Sequence, residues 1–178
     1  MFLHQSIKVM ERFRIRKLQE KDKSSIFSIW AMNQDLATGF AFVADTDASI
    51  EQDFYKNYFS APAPVFLVAE TVETEEILGW ASILNFIHNP ILTRFIGEAS
   101  IYLDKYYLDA EIGTALIKET FAQAAKTEIR HIYGWIKTEN AVMIKLAQDL
   151  CEKELAKIPN SLDGKLDGFY LYFYNVPR

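Results

Sequence analysis

The sequence predicts an α/β fold of the α+β kind, in which a mixed, mostly antiparallel central sheet carries helices on both faces. Three observations predict it. Short apolar or alternating runs of strand length are interleaved with longer segments whose apolar residues recur at helical spacing. One strand-helix-strand unit, residues 95 to 136, calls for a parallel, right-handed crossover, whereas most other strands follow short turns. The chain has 178 residues, 50% of them hydrophobic and 14% aromatic, enough for one compact core, and no repeat or low-complexity linker divides it.

Residues 1 to 10 form a leader without defined structure. Arg12 to Leu18 then alternates Phe13 and Ile15 with charged neighbours and reads as a strand. Ser25 to Asn33 places Ile26, Ile29 and Trp30 at helical spacing. Asp35 to Phe42 mixes aromatics with Gly39 and has no period, so residues 35 to 48 read as a loop; Ser49 to Phe59 puts Ile50, Phe54 and Tyr58 on one face of a second helix. Pro62 and Pro64 close that helix. Val65 to Ala69 and Ile77 to Ile87 form a hairpin about the charged turn Glu73-Thr74-Glu75-Glu76, and Asn89-Pro90 turns the chain into a strand from Phe95 to Leu103.

Asp109 to Lys126 is helical, with Ala110, Gly113, Ile117, Phe121 and Ala124 on one face. Ile129 to Ile136 is a strand and Asn140 to Leu150 a helix. Leu155 to Ile158 and Phe169 to Val176 are the last strands, joined across Pro159 to Gly164. The order is β-α-α-β-β-β-α-β-α-β-β, and residues 1 to 178 form a single domain.

Charge narrows the partners. There are 19 Lys and Arg against 24 Asp and Glu, a formal charge of -5, and no basic cluster of the kind that binds nucleic acid. The lone cysteine, Cys151, cannot form an internal disulfide, and His4, His88 and His131 lie too far apart in sequence to suggest a metal site. The N-terminus lacks a signal-peptide core and no apolar stretch is long enough for a bilayer. A soluble cytoplasmic protein without membrane or nucleic-acid partners is expected.

The chemistry concentrates in Glu98-Ala99-Ser100-Ile101-Tyr102-Leu103, followed by a loop and Glu111-Ile112-Gly113-Thr114-Ala115-Leu116. A strand leading through a loop into a glycine-containing helix start binds phosphates well, because the first helical turn has unused N–H groups and a positive dipole end. This run, together with the order of elements over residues 12 to 176, resembles the GNAT superfamily of N-acetyltransferases. The Glu-x-Ser-x-Tyr strand is similar to its phosphinothricin-acetyltransferase branch.

The resemblance implies acetyl-CoA as co-substrate and a primary amine of a small molecule as acceptor, attacked directly in a ternary complex. Ile101, Tyr102 and Leu103 would contact the pantetheine arm, Gly113 and Thr114 the pyrophosphate, and Asn140 the cofactor. Glu98 would serve as general base, and the backbone N–H of Tyr102 or Leu103 would polarise the thioester. Phe40 and Phe42, in the loop that roofs the acceptor site of the family, would line it.

The pattern is incomplete. At the fixed positions of the family's pyrophosphate loop stand Leu108, Glu111 and Gly113, so a basic or amide side chain is lost and a carboxylate gained. Like charges about 4 Å apart repel by about 1 kcal/mol in water and about 4 kcal/mol at intermediate dielectric; an outward-facing Glu111 incurs the smaller figure. The tyrosine that commonly protonates the leaving thiolate is replaced by Ala147. A relative that binds CoA or a protein partner without catalysis is therefore the alternative.

Each residue also has a plainer reading. Glu98 fits an ordinary strand-edge carboxylate, Gly113 close helix-sheet packing, Asn140 a helix N-cap, Tyr106 and Tyr107 a cover for the sheet end, and Cys151 a small buried residue. The aromatic ending Phe169 to Tyr174 fits a two-faced strand or the contact surface of a homodimer.

Overall fold

A computed structural model describes residues 12–38, 48–85, 89–107, 110–151, 153–158 and 168–177. The leader, Phe40, Phe42 and Leu108 lie outside the described residues. The elements are β1 (Phe13–Lys17), α1 (Lys23–Met32), α2 (Gln34–Thr38), α3 (Ala48–Phe59), β2 (Val65–Thr71), β3 (Ile77–Asn85), β4 (Ile96–Leu103), α4 (Ala110–Ala124), β5 (His131–Lys137), α5 (Ala141–Leu150), β6 (Lys153–Ile158) and β7 (Phe169–Asn175). The expected loop at 35 to 48 is corrected at its start. Beyond Asn33 the chain turns helical again, with the Ala37 N–H donating to the Asn33 carbonyl at 2.8 Å.

The strands form one seven-stranded sheet in the order β1-β2-β3-β4-β5-β7-β6. Among the described residues only β4 and β5 pair in parallel; the other pairs are antiparallel. This is the mixed, mostly antiparallel sheet expected from one crossover among hairpins. No helix among the described residues is long and apolar enough to cross a membrane.

The central strands β2 and β3 are buried on both faces, which is why they read as continuous apolar runs rather than alternating ones. On one face Leu67, Ala69, Ala81 and Ile83 meet Ile112, Leu116, Ile117 and Phe121 of α4. On the other, Phe66, Val68 and Trp80 meet Ile26 and Ile29 of α1 and Phe54 of α3. Trp80 is fully buried, and its indole N–H donates to the Ile26 carbonyl at 3.2 Å. Strand β7 has two faces. Tyr174 stacks on Phe121 of α4 and Tyr172 packs beneath α5, while Phe173 turns the other way, against His131 and Tyr133.

The edge at β1 is held by a buried ionic cluster that periodicity does not reveal. Glu70 on β2 is fully buried and receives Arg14 Nε at 2.6 Å and the Arg16 guanidinium. Arg16 also forks onto Asp22 at 2.6 and 2.9 Å, and Asp22 accepts the Gln19 N–H at 2.8 Å. Arg16 holds Glu70 below the usual carboxylate range, and Arg14 adds to this against the opposing effect of burial. For Asp22 burial acts upward, but Arg16 and the Gln19 amide outweigh it and its pKa too is lowered.

Both carboxylates are thus easier to ionise in the folded chain, so their stabilisation is complete above the unfolded carboxylate range of about 4 and is lost as pH falls through the lower folded values. Thermal melts should show a steep loss of midpoint below about pH 4. Glu70→Gln, which replaces charge-assisted bonds by neutral ones, should cost about 2 kcal/mol at neutral pH and make that acid limb shallower.

Candidate active site

Strand β4 has a different partner geometry on each side. Toward β3 it pairs antiparallel along its length, from Gly97–Asn85 to Leu103–Gly79. Toward β5 it pairs in parallel over three residue pairs only, Ile96–His131, Gly97–Ile132 and Glu98–Tyr133, and then the two strands part. The Asp104 N–H donates to the Leu78 carbonyl at 2.9 Å, which fixes the alternation of the ladder. Residues 98, 100, 102 and 104 bond to β3, and Gly97, Ala99, Ile101 and Leu103 turn their main-chain groups toward β5. The Phe95 carbonyl, which accepts from the N–H groups of Arg130 and His131, obeys the same parity.

Beyond Glu98, therefore, Ile101 presents its N–H and carbonyl, and Leu103 its N–H, to a wedge-shaped opening with no strand across from it. The Leu103 carbonyl is occupied. Asn33, buried at the end of α1, donates its Nδ2 to that carbonyl at 2.9 Å and to the Ile29 carbonyl at 2.7 Å. The parity corrects one expectation. The Tyr102 amide belongs to the β3 ladder, so it can neither pair with a pantetheine arm nor polarise a thioester.

Side chains divide along the same strand. Ala99, Ile101 and Leu103 pack into the core beneath α4, so Ile101 and Leu103 offer the opening their main chain and not their side chains. Glu98, Ser100 and Tyr102 lie on the opposite face, with α1 and α3. The Tyr58 hydroxyl of α3 is 3.5 Å from Ser100 Oγ. Trp80 and Tyr102 approach at 4.9 Å between ring centroids, and Tyr58 stands edge-on to Trp80 at 5.3 Å. Helix α2 contacts β5 and so bridges the opening on this face.

Glu98 sits where β4 and β5 separate. Its carboxylate makes no hydrogen bond or ion pair among the described residues, and burial alone pushes its pKa up. Burial likewise raises Tyr58, which senses Ser100, Glu98 and Tyr102. Tyr102 is raised by burial first, then by Tyr58, with Gln34 and Glu98 also close. Two phenols, one carboxyl and Ser100 thus form a half-buried polar cluster whose one charged member is Glu98. Tyr58 and Gln34 were not singled out by the sequence; Tyr58 shows there only as part of a helical apolar face.

A strand pair that opens after a short parallel contact, with a helix N-terminus beyond it, can be compared with known proteins. The model of the acetyltransferase (GNAT) family matches residues 29–151, from the end of α1 to the end of α5, and includes the whole opening. The chain belongs to the GNAT acetyltransferase family. No curated protein matches the sequence. A GNAT superfamily phosphinothricin acetyltransferase from Sinorhizobium meliloti, solved with acetyl-CoA, superposes with a TM-score of 0.74 at 20% identity, covering 93% of this chain and 89% of that one. An assigned acetyltransferase from Salmonella typhimurium, also with acetyl-CoA, gives 0.76 at 17% identity over 94% and 95% of the two chains. An N-acetyltransferase from Staphylococcus aureus gives 0.69 at 23% over 93% and 99%. At these identities the likeness is one of fold.

Within this GNAT fold the remaining expected residues are spread over three elements. Gly113 lies in the first turns of α4 and faces the sheet, where an added Cβ would stand 3.3 Å from Leu103 Cδ1; close packing is a role the structure gives it directly. Thr114 follows it, half-buried, and Glu111 is exposed, the orientation with the smaller repulsion. Asn140 caps α5, its Oδ1 accepting the Met143 N–H at 3.1 Å, which leaves its Nδ2 to donate elsewhere. Ala147 is buried against Ile136 and Tyr172.

The Tyr107 hydroxyl donates to Glu76 at 3.3 Å beside the β2–β3 turn, and Tyr106 is exposed with Lys105 over its ring. Burial pushes the Cys151 thiol up to about 11, which makes it unreactive at neutral pH.

Asn33 joins the end of α1 to the open strand, and its loss should be measurable. Asn33→Ala orphans the Leu103 carbonyl and should cost about 2 kcal/mol in denaturant unfolding. Asn33→Asp should cost more at neutral pH, because a carboxylate facing two carbonyls has no proton to donate, and should recover at acid pH where the protonated form donates again.

Proposed function

We propose that this GNAT protein transfers an acetyl group from acetyl-CoA to the primary amine of a small molecule, by direct attack while both substrates are bound. The observation that carries the reading is Glu98, a half-buried carboxyl without a counter-cation among the described residues, placed where β4 and β5 part. A raised pKa suits a group that must take a proton from an ammonium near neutral pH.

The residues present fit acetyl-CoA. The Ile101 N–H and carbonyl and the Leu103 N–H form an unpaired edge that suits the amides of a pantetheine arm. The N-terminal turn of α4, with Glu111 turned outward and Gly113 and Thr114 behind it, suits a pyrophosphate. The Asn140 Nδ2 remains for a further cofactor contact. When bound, acetyl-CoA supplies the activated acyl group.

Glu98, directly or through a water, removes a proton from the acceptor ammonium. An N–H of Ile101 or Leu103 donates to the thioester oxygen as it gains negative charge. As the new C–N bond forms and the C–S bond breaks, the nitrogen gives its second proton to water and the sulfur leaves as thiolate. Ala147 presents only a methyl group, so that thiolate takes its proton from solvent. Phe40 and Phe42 remain proposed acceptor-site residues on the strength of their sequence position.

Acetyl-CoA at millimolar concentration should raise the thermal midpoint by several degrees. No shift would rule out transferase and cofactor binder together; a shift without thiol release from any amine would favour the binder. Among active preparations, Glu98→Gln should lower kcat/KM about a hundredfold. In the wild type, kcat/KM should fall as pH drops through the raised Glu98 value, above the ordinary glutamate range of about 4.3. The variant should lack that limb.

A further inference from the structure

The charge inventory of the cleft restricts the acceptor. We propose that the acceptor is a primary amine on an aromatic or alkyl body that carries no carboxylate, phosphate or other acid, a restriction that rests on the transferase reading above.

On the face of the sheet that holds Glu98, Ser100 and Tyr102, the cross-strand partners Leu84, Ser82 and Trp80 are uncharged. The parallel partner Tyr133 is likewise an aromatic neighbour, and Trp135 follows it on the same face of β5. The groups that Tyr58 and Tyr102 sense are each other, Ser100, Gln34 and Glu98, with no lysine or arginine among them. Glu98 itself senses burial and no cation. Ser82 Oγ, fully buried opposite Ser100, has no hydrogen-bond partner among the described residues; it adds polarity without charge.

Among the arginines of the described residues, Arg14 and Arg16 serve Glu70, Glu75 and Asp22 at the far edge, Arg94 forks onto Glu128, Arg130 stands over the Phe95 ring, and Arg12 is exposed just before β1. Two lysines lie nearer. Lys137, two residues beyond Trp135 on the same face of β5, is paired with Glu139 at 2.6 Å, and Lys105 stands over the exposed Tyr106 ring.

An acid group on the acceptor would thus enter a half-buried site whose fixed charge, among the described residues, is already negative. It would be desolvated with no cationic partner among the described residues and repelled by Glu98. An ammonium gains from the same surroundings, through the carboxylate and through the rings of Tyr58 and Tyr102. The apolar body of such an amine would lie against those rings.

The test compares amines with their α-carboxylated counterparts, phenethylamine with phenylalanine and tyramine with tyrosine, on the full chain. Thiol release from acetyl-CoA gives kcat/KM, and the thermal midpoint with CoA present gives binding whether or not transfer occurs. Each plain amine should exceed its amino acid by at least about tenfold in kcat/KM and shift the midpoint at lower concentration. In Glu98→Gln, where the negative charge is gone, the binding preference should shrink. Equal or better use of the amino acids would overturn the proposal, as would binding of neither plain amine. Selective amine binding without thiol release would keep the acceptor class and overturn the transferase reading.

Discussion

The proposed site depends on how briefly β4 and β5 hold together. A parallel pair normally continues until its strands end, because each further residue satisfies a donor and an acceptor. Here the pairing stops at Glu98 and Tyr133, so the centre of the sheet contains an edge. Ordinary edges lie at the rim and are blunted by charge or by a covering loop. This one is interior, flanked by α4 and α5 on one face and bridged by α2 on the other, and in the proposed reading a ligand with amide groups of its own would complete it.

The alternation of a strand then divides the work. Main-chain groups of β4 alternate between β3 and the opening, and its side chains alternate between the core under α4 and the cluster under α3. Ile101 and Leu103 anchor the strand by their side chains and expose their amides. Glu98, Ser100 and Tyr102 do the reverse, bonding β3 through the backbone and presenting their side chains to the face under α1 and α3. Asn33 couples the two sides, since one amide group holds both the end of α1 and the last carbonyl of the open strand.

Much of this was legible in the sequence, and what was not has a physical reason. The order of elements and the crossover from β4 through α4 to β5 follow from hydrophobic period, which local sequence displays. Glu98 and Asn140 could be picked out because each matches a position of the family pattern that the sequence resembles, and such a pattern is local. Tyr58 and Asn33 could not, because their partners Ser100 and Leu103 lie 42 and 70 residues away. Glu70, at the end of the apolar run Val65 to Ala69, gave one signal, a carboxylate in a strand buried on both faces, but its cations on β1 emerge only with the register. Tyr102 was misassigned for the same reason: whether an amide faces the opening is a matter of odd and even position in the ladder, which no single-strand pattern reveals.

That parity also governs how such a protein can diverge. A substitution in β4 changes one contact, whereas a single-residue insertion or deletion between Gly97 and Leu103 would exchange the two sets. The amides now facing the opening would turn into the β3 ladder, and the carboxylate would be driven into the apolar layer beneath α4. Strand β4 is therefore a segment of fixed length but open spelling. Its lineage can rewrite the acceptor side letter by letter, while every change of length is confined to the connections around it.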